Sequence, residues 1–350
     1  MAAKTAKSKL EVVEIKGGRA VTSYDVARKA GVSQSAVSRC FKPGASVSKK
    51  MREKVMKVAN ELGYEPNAIA RSLITRRSNL VAVIISNLTN LYYPEVLAQI
   101  SQRLSERGIR VLLFALDAEG HADEALNQIW QYQVDGVISA AKLTDEQLAA
   151  FEKRQKPLVF YNRFYSNQAV NAVCCDQAEG ARHLVNGLVE AGHKSFGIIG
   201  GPDDSVVGQE RTDASLQRLK ELNVTDITVS EGSFSYECGG AGIEVIREKR
   251  GELPDAIICV NDMTAIGAID ALRYGHGRKV PEDISVVGFD GVGPAAWSSF
   301  DLTTMRQPVG RMTEGAVAML MDRIENPDLP PEKRLFAGVV VDGTSAKFVE

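Results

Sequence analysis

"VTSYDVARKAGVSQSAVSRCF" (residues 21–41) sets two short helix-forming runs on either side of Gly31-Val32-Ser33. Ser23 can cap a helix over Tyr24–Ala30, with Asp25 in its first turn, where a carboxylate meets the positive end of the helix dipole. Gly31 supplies the turn. Ser33 caps a second helix over Gln34–Phe41, which presents Gln34, Ser35, Ser38 and Arg39 outward while Val37 faces inward. A third helix starts after Ser48. Its apolar residues Met51, Val55, Val58, Ala59 and Leu62 recur at helical spacing, and Gly63 is a natural stop. The outer face carries Lys49, Lys50, Arg52, Lys54 and Lys57. A helix–turn–helix lays its second helix in the major groove of DNA, where short polar side chains and an arginine reach base edges. A generic three-helix bundle has the same outline, but the polar second helix favours DNA.

Charge supports that choice. Residues 1–77 hold 17 Lys/Arg against six Asp/Glu, a net +11. The remainder holds 25 basic and 38 acidic residues, a net −13, so the chain as a whole sits at only −2. A compact basic front on an acidic body implies a polyanionic partner for the front alone. Residues 1–21 are Lys-containing, have no apolar signal core, and are expected to form a disordered tail.

After the third helix comes "YEPNAIARSLITRRSN" (64–79). Pro66 breaks the chain, and 67–74 could form a helix too short to be stable alone. Ala70 and Leu73 fall on one face, with Arg71, Arg76 and Arg77 nearby. The segment is either a plain linker or a minor-groove wedge.

From Asn79 the pattern changes. Apolar strand-like runs at 80–86, 110–116, 136–141 and 158–162 alternate with helical stretches such as 94–107 and 121–133. A second series has strands near 172–175, 195–201, 227–232, 256–260 and 284–290, separated by helices near 177–191, 208–222, 237–249 and 262–274. Continuous apolar strands alternating with helices form parallel sheets covered on both faces. Two series imply an α/β fold of two doubly wound lobes, with a ligand at the strand C-termini between them. The loops there ("SNLTNLYYPE", "NRF", "GGPDDSVVGQER", "GSFSYE", "VNDM", "GFDG") offer small, polar and aromatic residues. No nucleophile elbow, Walker loop, H-E-x-x-H or dinucleotide fingerprint occurs. The glycine clusters at 288–293 and 239–242 are weak phosphate-loop signals. Five scattered cysteines fit buried reduced thiols better than zinc, and the four histidines lack ligand spacing. No apolar run is long enough to span a membrane, and a cytoplasmic protein is expected.

Residues 22–350 resemble the lactose/galactose-repressor family of bacterial transcription regulators. "VTSYDVARKAGVSQSAVSRCF", "VSKKMREKVMKVANELGYEPNAIARSL", "DISVVGFDG" and "LTTMRQP" carry the resemblance. It implies a helix–turn–helix headpiece (22–65), a hinge helix and linker (66–77), and a type I periplasmic-binding-protein-like core (78–350). The first lobe would be about 78–162 plus 302–335 and the second about 163–301, with the chain returning to the first lobe from Leu302. The family acts as a homodimer on palindromic double-stranded operators under a small-molecule effector, most often a sugar, and needs no metal or other cofactor. Carried over by position, Thr22, Ser23, Gln34, Ser35, Ser38, Arg39, Asn67, Ala70 and Leu73 would contact DNA, Leu73 entering the minor groove. Tyr92, Tyr93, Arg163, Asp176, Arg211, Phe234, Asn261 and Asp290 would line the effector cleft. Arg211 and Asp290 are the foremost of these, because a charged pair can grip hydroxyls or a carboxylate from opposite sides.

The sequence departs from the family at Leu91, where proline is frequent, and at Asp342, where a basic residue is usual. No leucine heptad follows the core, so a tetramer held by such a segment is not expected. A transport receptor would share the core but would not carry residues 22–74. An enzyme would need a catalytic constellation, and the motifs supply none.

Overall fold

The computed structural model describes residues 21–42, 44–65, 77–86, 88, 90–116, 121–165 and 168–349. The chain divides into two compact units between Ser78 and Asn79.

The first unit contains α1 (Ser23–Ala30), α2 (Gln34–Cys40) and α3 (Lys49–Leu62). Val26, Val37 and Val55 are fully buried at its centre, with Ala27, Ala30, Cys40 and Ala59 around them. Each such valine contributes on the order of 1.5–3 kcal/mol. The cap of α1 is Thr22 rather than the expected Ser23. Thr22 is extended, and its N–H and hydroxyl donate to Asp25 Oδ2 at 3.0 and 2.7 Å. Ser33 and Ser48 cap α2 and α3 as expected, accepting from Ala36 N and Met51 N. The second helix stops one residue early, at Cys40, with Phe41 as its C-cap. Gly31 and Gly63 close α1 and α3 in the left-handed conformation, with φ of 63° and 65°.

In the second unit, one six-stranded sheet is built from β1 (Leu80–Ser86), β2 (Arg110–Leu116), β3 (Gly136–Ala140), β4 (Leu158–Tyr161), β5 (Ala172–Cys175) and β11 (Lys333–Phe336). Its order is β11-β5-β4-β3-β1-β2, and every pairing is parallel. Four helices pack on it: α4 (Tyr92–Ser105), α5 (Asp123–Tyr132), α6 (Asp145–Lys153) and α11 (Val309–Glu325).

The second sheet uses β6 (Ser195–Ile199), β7 (Asp226–Ser230), β8 (Ala256–Cys259), β9 (Ser285–Asp290), β10 (Thr303–Arg306) and β12 (Val339–Val341). Its order is β12-β10-β9-β8-β6-β7, parallel except for the antiparallel β10–β12 pair. Its helices are α7 (Gln177–Glu190), α8 (Val206–Glu221), α9 (Tyr236–Arg250) and α10 (Asp262–Asp270). The last runs on into a π-helical turn over Ala271–Gly275.

Two expectations about the lobes are corrected. The strand at 172–175 belongs to the first sheet, where Phe160 pairs with Ala172 and Tyr161 with Val173. The strand after Leu302 stays in the second sheet, with Thr303 opposite Val287. The chain therefore changes sheets after β5, after β10 and again between β11 and β12. A four-residue apolar strand has the same composition in either sheet, and only its remote partner decides. The glycines of "GGAG" are not a phosphate turn. They lie inside α9, where a Cβ on Gly239 would sit 2.2 Å from Thr264 O, and one on Gly267 would sit 1.9 Å from Tyr236 O. These glycines let α9 and α10 touch backbone to backbone.

Candidate ligand cleft and nucleic-acid interface

The candidate DNA face is built on α2. Ser35, Ser38 and Arg39 are exposed on it, and Gln34 is half-buried. Gln34 Nε2 donates to Ser23 Oγ at 3.3 Å, and Ser35 Oγ lies 3.0 Å from Ser33 Oγ. Arg39 Nε makes one long contact, 3.4 Å, to Ser35 O. Thr22 and Ser23 flank this face, but Thr22 is committed to Asp25. Lys49, Lys50, Lys54 and Lys57 are exposed on α3. Arg52 is different. Its Nη1 donates to Cys40 O at 2.6 Å and its Nη2 to Ala45 O at 3.3 Å, so it ties the α2–α3 turn rather than joining the outer basic face. Lys29 pairs with Glu61 at 3.0 Å, holding the Glu61 carboxyl below its ordinary value. Asn67, Ala70 and Leu73 lie outside the described residues.

The candidate cleft lies where strands of both sheets end. Tyr92 and Tyr93 follow β1; Asn162 and Arg163 follow β4; Pro202, Ser205 and Val207 follow β6; Phe234 follows β7. Asn261, Asp290 and Gln307 stand at the ends of β8, β9 and β10, and Arg211 reaches in from α8. Seven of the eight carried-over residues meet there. Asp176 does not. It caps α7, its Oδ1 accepting from Glu179 N at 3.0 Å, and it is absent from the cleft wall.

Arg211 and Asp290 form the centre. Arg211 Nη2 donates to Asp290 Oδ1 at 2.9 Å, and the two side chains are 4% and 5% exposed. The guanidinium is anchored further by Gln177 Oε1 at 2.7 Å and Val260 O at 2.6 Å, and lies 3.7 Å from the Phe289 ring centroid. Burial pushes the Asp290 carboxyl up, and Arg211 and Gln307 oppose the shift. Its Oδ1 accepts from both Arg211 and Gln307, whereas Oδ2 makes no hydrogen bond among the described residues. Asp262 lies behind this pair, accepting from Thr304 Oγ1 and Val292 N. Burial first, and then the Asp290 charge, raise its pKa.

Polar contacts continue across the cleft without a break. Gln307 Nε2 donates to Asp290 at 2.7 Å, while Gln307 Oε1 accepts from Asn162 Nδ2 at 2.7 Å and from Tyr92 Oη at 3.1 Å. Tyr92 Oη is also 3.1 Å from Tyr161 Oη. Asn162 Oδ1 accepts from Cys175 N at 2.9 Å. One network thus joins helices and strands of both lobes through two residues, Asn162 and Gln307, that stand at strand ends next to the crossings. Neither was among the carried-over residues. Asn162 had a signal in the sequence, an amide directly after the apolar strand β4; Gln307, after Thr303–Arg306, had none of that kind.

Phe234 is held open to the cleft by strain and by Asn261. Its φ is 62°, and Asn261 Nδ2 donates to its carbonyl at 2.9 Å while Asn261 Oδ1 caps α10 through Thr264 N. Asn162 and Asp290 also have positive φ, 52° and 122°. Three such residues on one cleft are a cost that folds retain at working sites. Tyr92 and Tyr93 pack edge to face at 5.5 Å. The enclosed space between these groups is about 40 Å³.

Comparison with known proteins agrees with this architecture. Residues 22–67 match the lacI family of bacterial regulatory proteins, and residues 185–346 match the periplasmic-binding-protein-like domain. The chain is 31% identical to catabolite control protein A of Priestia megaterium, over 85% of this chain and 90% of that protein. It is 32% identical to the transcriptional regulator CelR of Thermobifida fusca, over 87% and 92%. Among solved structures, it matches a lac repressor dimer bound to operator and the anti-inducer ONPF with a TM-score of 0.86, at 28% identity over 93% of this chain and 99% of that one. A CelR–cellobiose complex matches with a TM-score of 0.71, at 28% identity and the same coverage.

A helix–turn–helix unit joined to a two-lobed receptor with a polar, aromatic cleft defines a DNA-binding regulator under ligand control. The chain belongs to the lacI family of bacterial regulatory proteins.

Proposed function

We propose that the chain binds a palindromic operator as a homodimer through α2, inside the bacterial cell, and that a small polyhydroxylated effector in the cleft sets that binding. Asp290 carries the reading for the effector. A buried carboxylate oriented through Oδ1, on one cleft wall with Phe234 and Tyr92, accepts hydroxyl hydrogens while aromatic rings cover the C–H faces of a sugar. Relatives support the same class: one is a ribose operon repressor, and one regulator was solved with cellobiose. The site binds rather than transforms, since its charged pair is locked by three further contacts on Arg211 and one, from Gln307, on Asp290.

Space supplies the coupling. About 40 Å³ is far below the roughly 300–1,000 Å³ of ordinary ligand pockets. An effector must part the Asn162–Gln307–Asp290 network or rotate one sheet against the other, and so favours one arrangement of the lobes. We assign residues 22–65 to DNA contact and 66–77 to transmitting that arrangement, with Leu73 as the wedge. In the test, fluorescence anisotropy on a palindromic DNA is combined with a thermal-shift screen of sugars, sugar acids, phosphosugars and nucleobases. Tight salt-sensitive DNA binding and a shift with a sugar support the proposal. Absence of DNA binding overturns it, and a shift confined to nucleobases overturns the effector class.

A further inference from the structure

We propose that the first lobe holds a second ligand site, for a small organic carboxylate with an apolar body, at the end of its sheet remote from the cleft. A cavity of about 290 Å³ opens there, some seven times the cleft's enclosed space and close to the lower bound for ligand pockets. Its walls are the last turns of α6 and α11, the starts of β4 and β5, and the loop 327–331. Phe151, Leu158, Phe160 and Val170 supply its apolar part, and polar and charged side chains line the rest.

Arg323 supplies the charge. Its side chain is only 8% exposed. Nε donates to Asn171 Oδ1 at 3.0 Å and Nη2 to Pro330 O at 2.8 Å, whereas Nη1 makes no hydrogen bond among the described residues. The nearest carboxylate, Glu332, stands 3.9 Å away and is gripped by Arg334 through contacts of 2.7 and 2.9 Å. Lys156, also on the wall, is half-buried with its Nζ on Val134 O. The acidic residues on the wall, Glu152 and Asp328, are exposed to water. A guanidinium with one edge unused, on a wall that is partly apolar, can take a carboxylate through a charge-assisted bond while the apolar part holds its body. The cleft network does not use Arg323.

Benzoate and hexanoate are suitable probes, with benzamide as the uncharged control, in calorimetric titration of the full chain. Saturable binding of one acid per chain is expected, at least about tenfold tighter than benzamide. Arg323→Lys should weaken it by a similar factor. Val170→Trp and Leu329→Trp fill the cavity from two different wall segments, the second an exposed loop residue, and should abolish binding. Phe234→Ala, in the cleft, should leave acid binding as it was. The proposal is overturned if neither acid saturates, if benzamide binds as well, or if Leu329→Trp binds like the parent. Loss in Phe234→Ala with retention in Val170→Trp would move the acid to the cleft and equally overturn it.

Discussion

Removing Arg211 should damage the fold before it damages recognition. Its partner Asp290 is 5% exposed and 2.9 Å away. At that separation, or at about 4 Å between charge centres, the attraction is roughly 4–6 kcal/mol in an effective dielectric of about 20. Desolvation of both groups offsets much of it while the pair is intact. Once Arg211 is gone, Asp290 keeps its desolvation and only Gln307 remains to donate to it. Arg211→Met should therefore destabilise by about 3–5 kcal/mol, the usual result of breaking a buried pair. Asp290→Asn should do similar harm by stranding the guanidinium. The double variant removes both charges, so it should be more stable than the sum of the singles requires, with a coupling of about 2 kcal/mol or more. Urea unfolding followed by fluorescence of Trp130 and Trp297 reads all four chains on one scale. Strictly additive losses, or a single-variant loss under 1 kcal/mol, would refute the claim that this pair is buried and mutually dependent.

Other outcomes follow from the same geometry. Asp290→Asn should raise the effector concentration needed for response at least about tenfold while apo operator affinity stays within twofold or so, both read by anisotropy; unchanged titrations would remove Asp290 from the site. Operator affinity should fall with salt by about −0.9 in log K per neutralised phosphate against log salt. Lys54→Ala should flatten that slope, whereas Arg52→Ala should keep it and cost about 1–3 kcal/mol of headpiece stability by freeing Cys40 O and Ala45 O. Asp262 carries a raised pKa, so the folded chain keeps a proton that the unfolded chain loses near pH 4. That contribution is present at low pH and is lost as pH rises through the folded value. Urea midpoints should fall between pH 5 and pH 8 in the parent and fall less in Asp262→Asn; equal falls would remove Asp262 as the cause.

The headpiece was legible because its signals are local. Ser33, Ser48, Gly31 and Gly63 act within four residues of themselves, and the helical period of Met51, Val55, Val58, Ala59 and Leu62 needs no distant partner. Thr22 displaced Ser23 as the cap because the two hydroxyls differ only in which one reaches Asp25. Strands β1 to β9 were legible from apolar runs, but the sheet joined by 172–175 and by 303–306 was not. Pairing is nonlocal, and Ala172 would read the same beside Phe160 or beside Phe196. Arg52 and Lys54 are indistinguishable as charges two residues apart, until the carbonyls of Cys40 and Ala45 select one. Asp176 matched the family pattern by position, yet its carboxylate serves its own helix. Asn162 and Gln307 join the network only when two crossings bring residues 145 apart within 2.7 Å.

The interleaving of the two sheets also governs how the protein is made. Met312, Ala316, Met319 and Leu320 of α11 are fully buried against the first lobe, and β11 completes its edge. All of these lie within the last 45 or so residues of a 350-residue chain. A ribosome emits residues at about 5–20 per second, with N-terminal parts ordinarily folding first. Here β1 to β5 emerge early and then wait for the whole second lobe to be synthesised before their missing helix arrives. During that interval the nascent first lobe exposes the apolar face that α11 will cover. Translation speed and chaperone access thus act on the covering of this lobe, and a truncation after β9 strips the first lobe of α11 and β11 and the second of its edge strands β10 and β12.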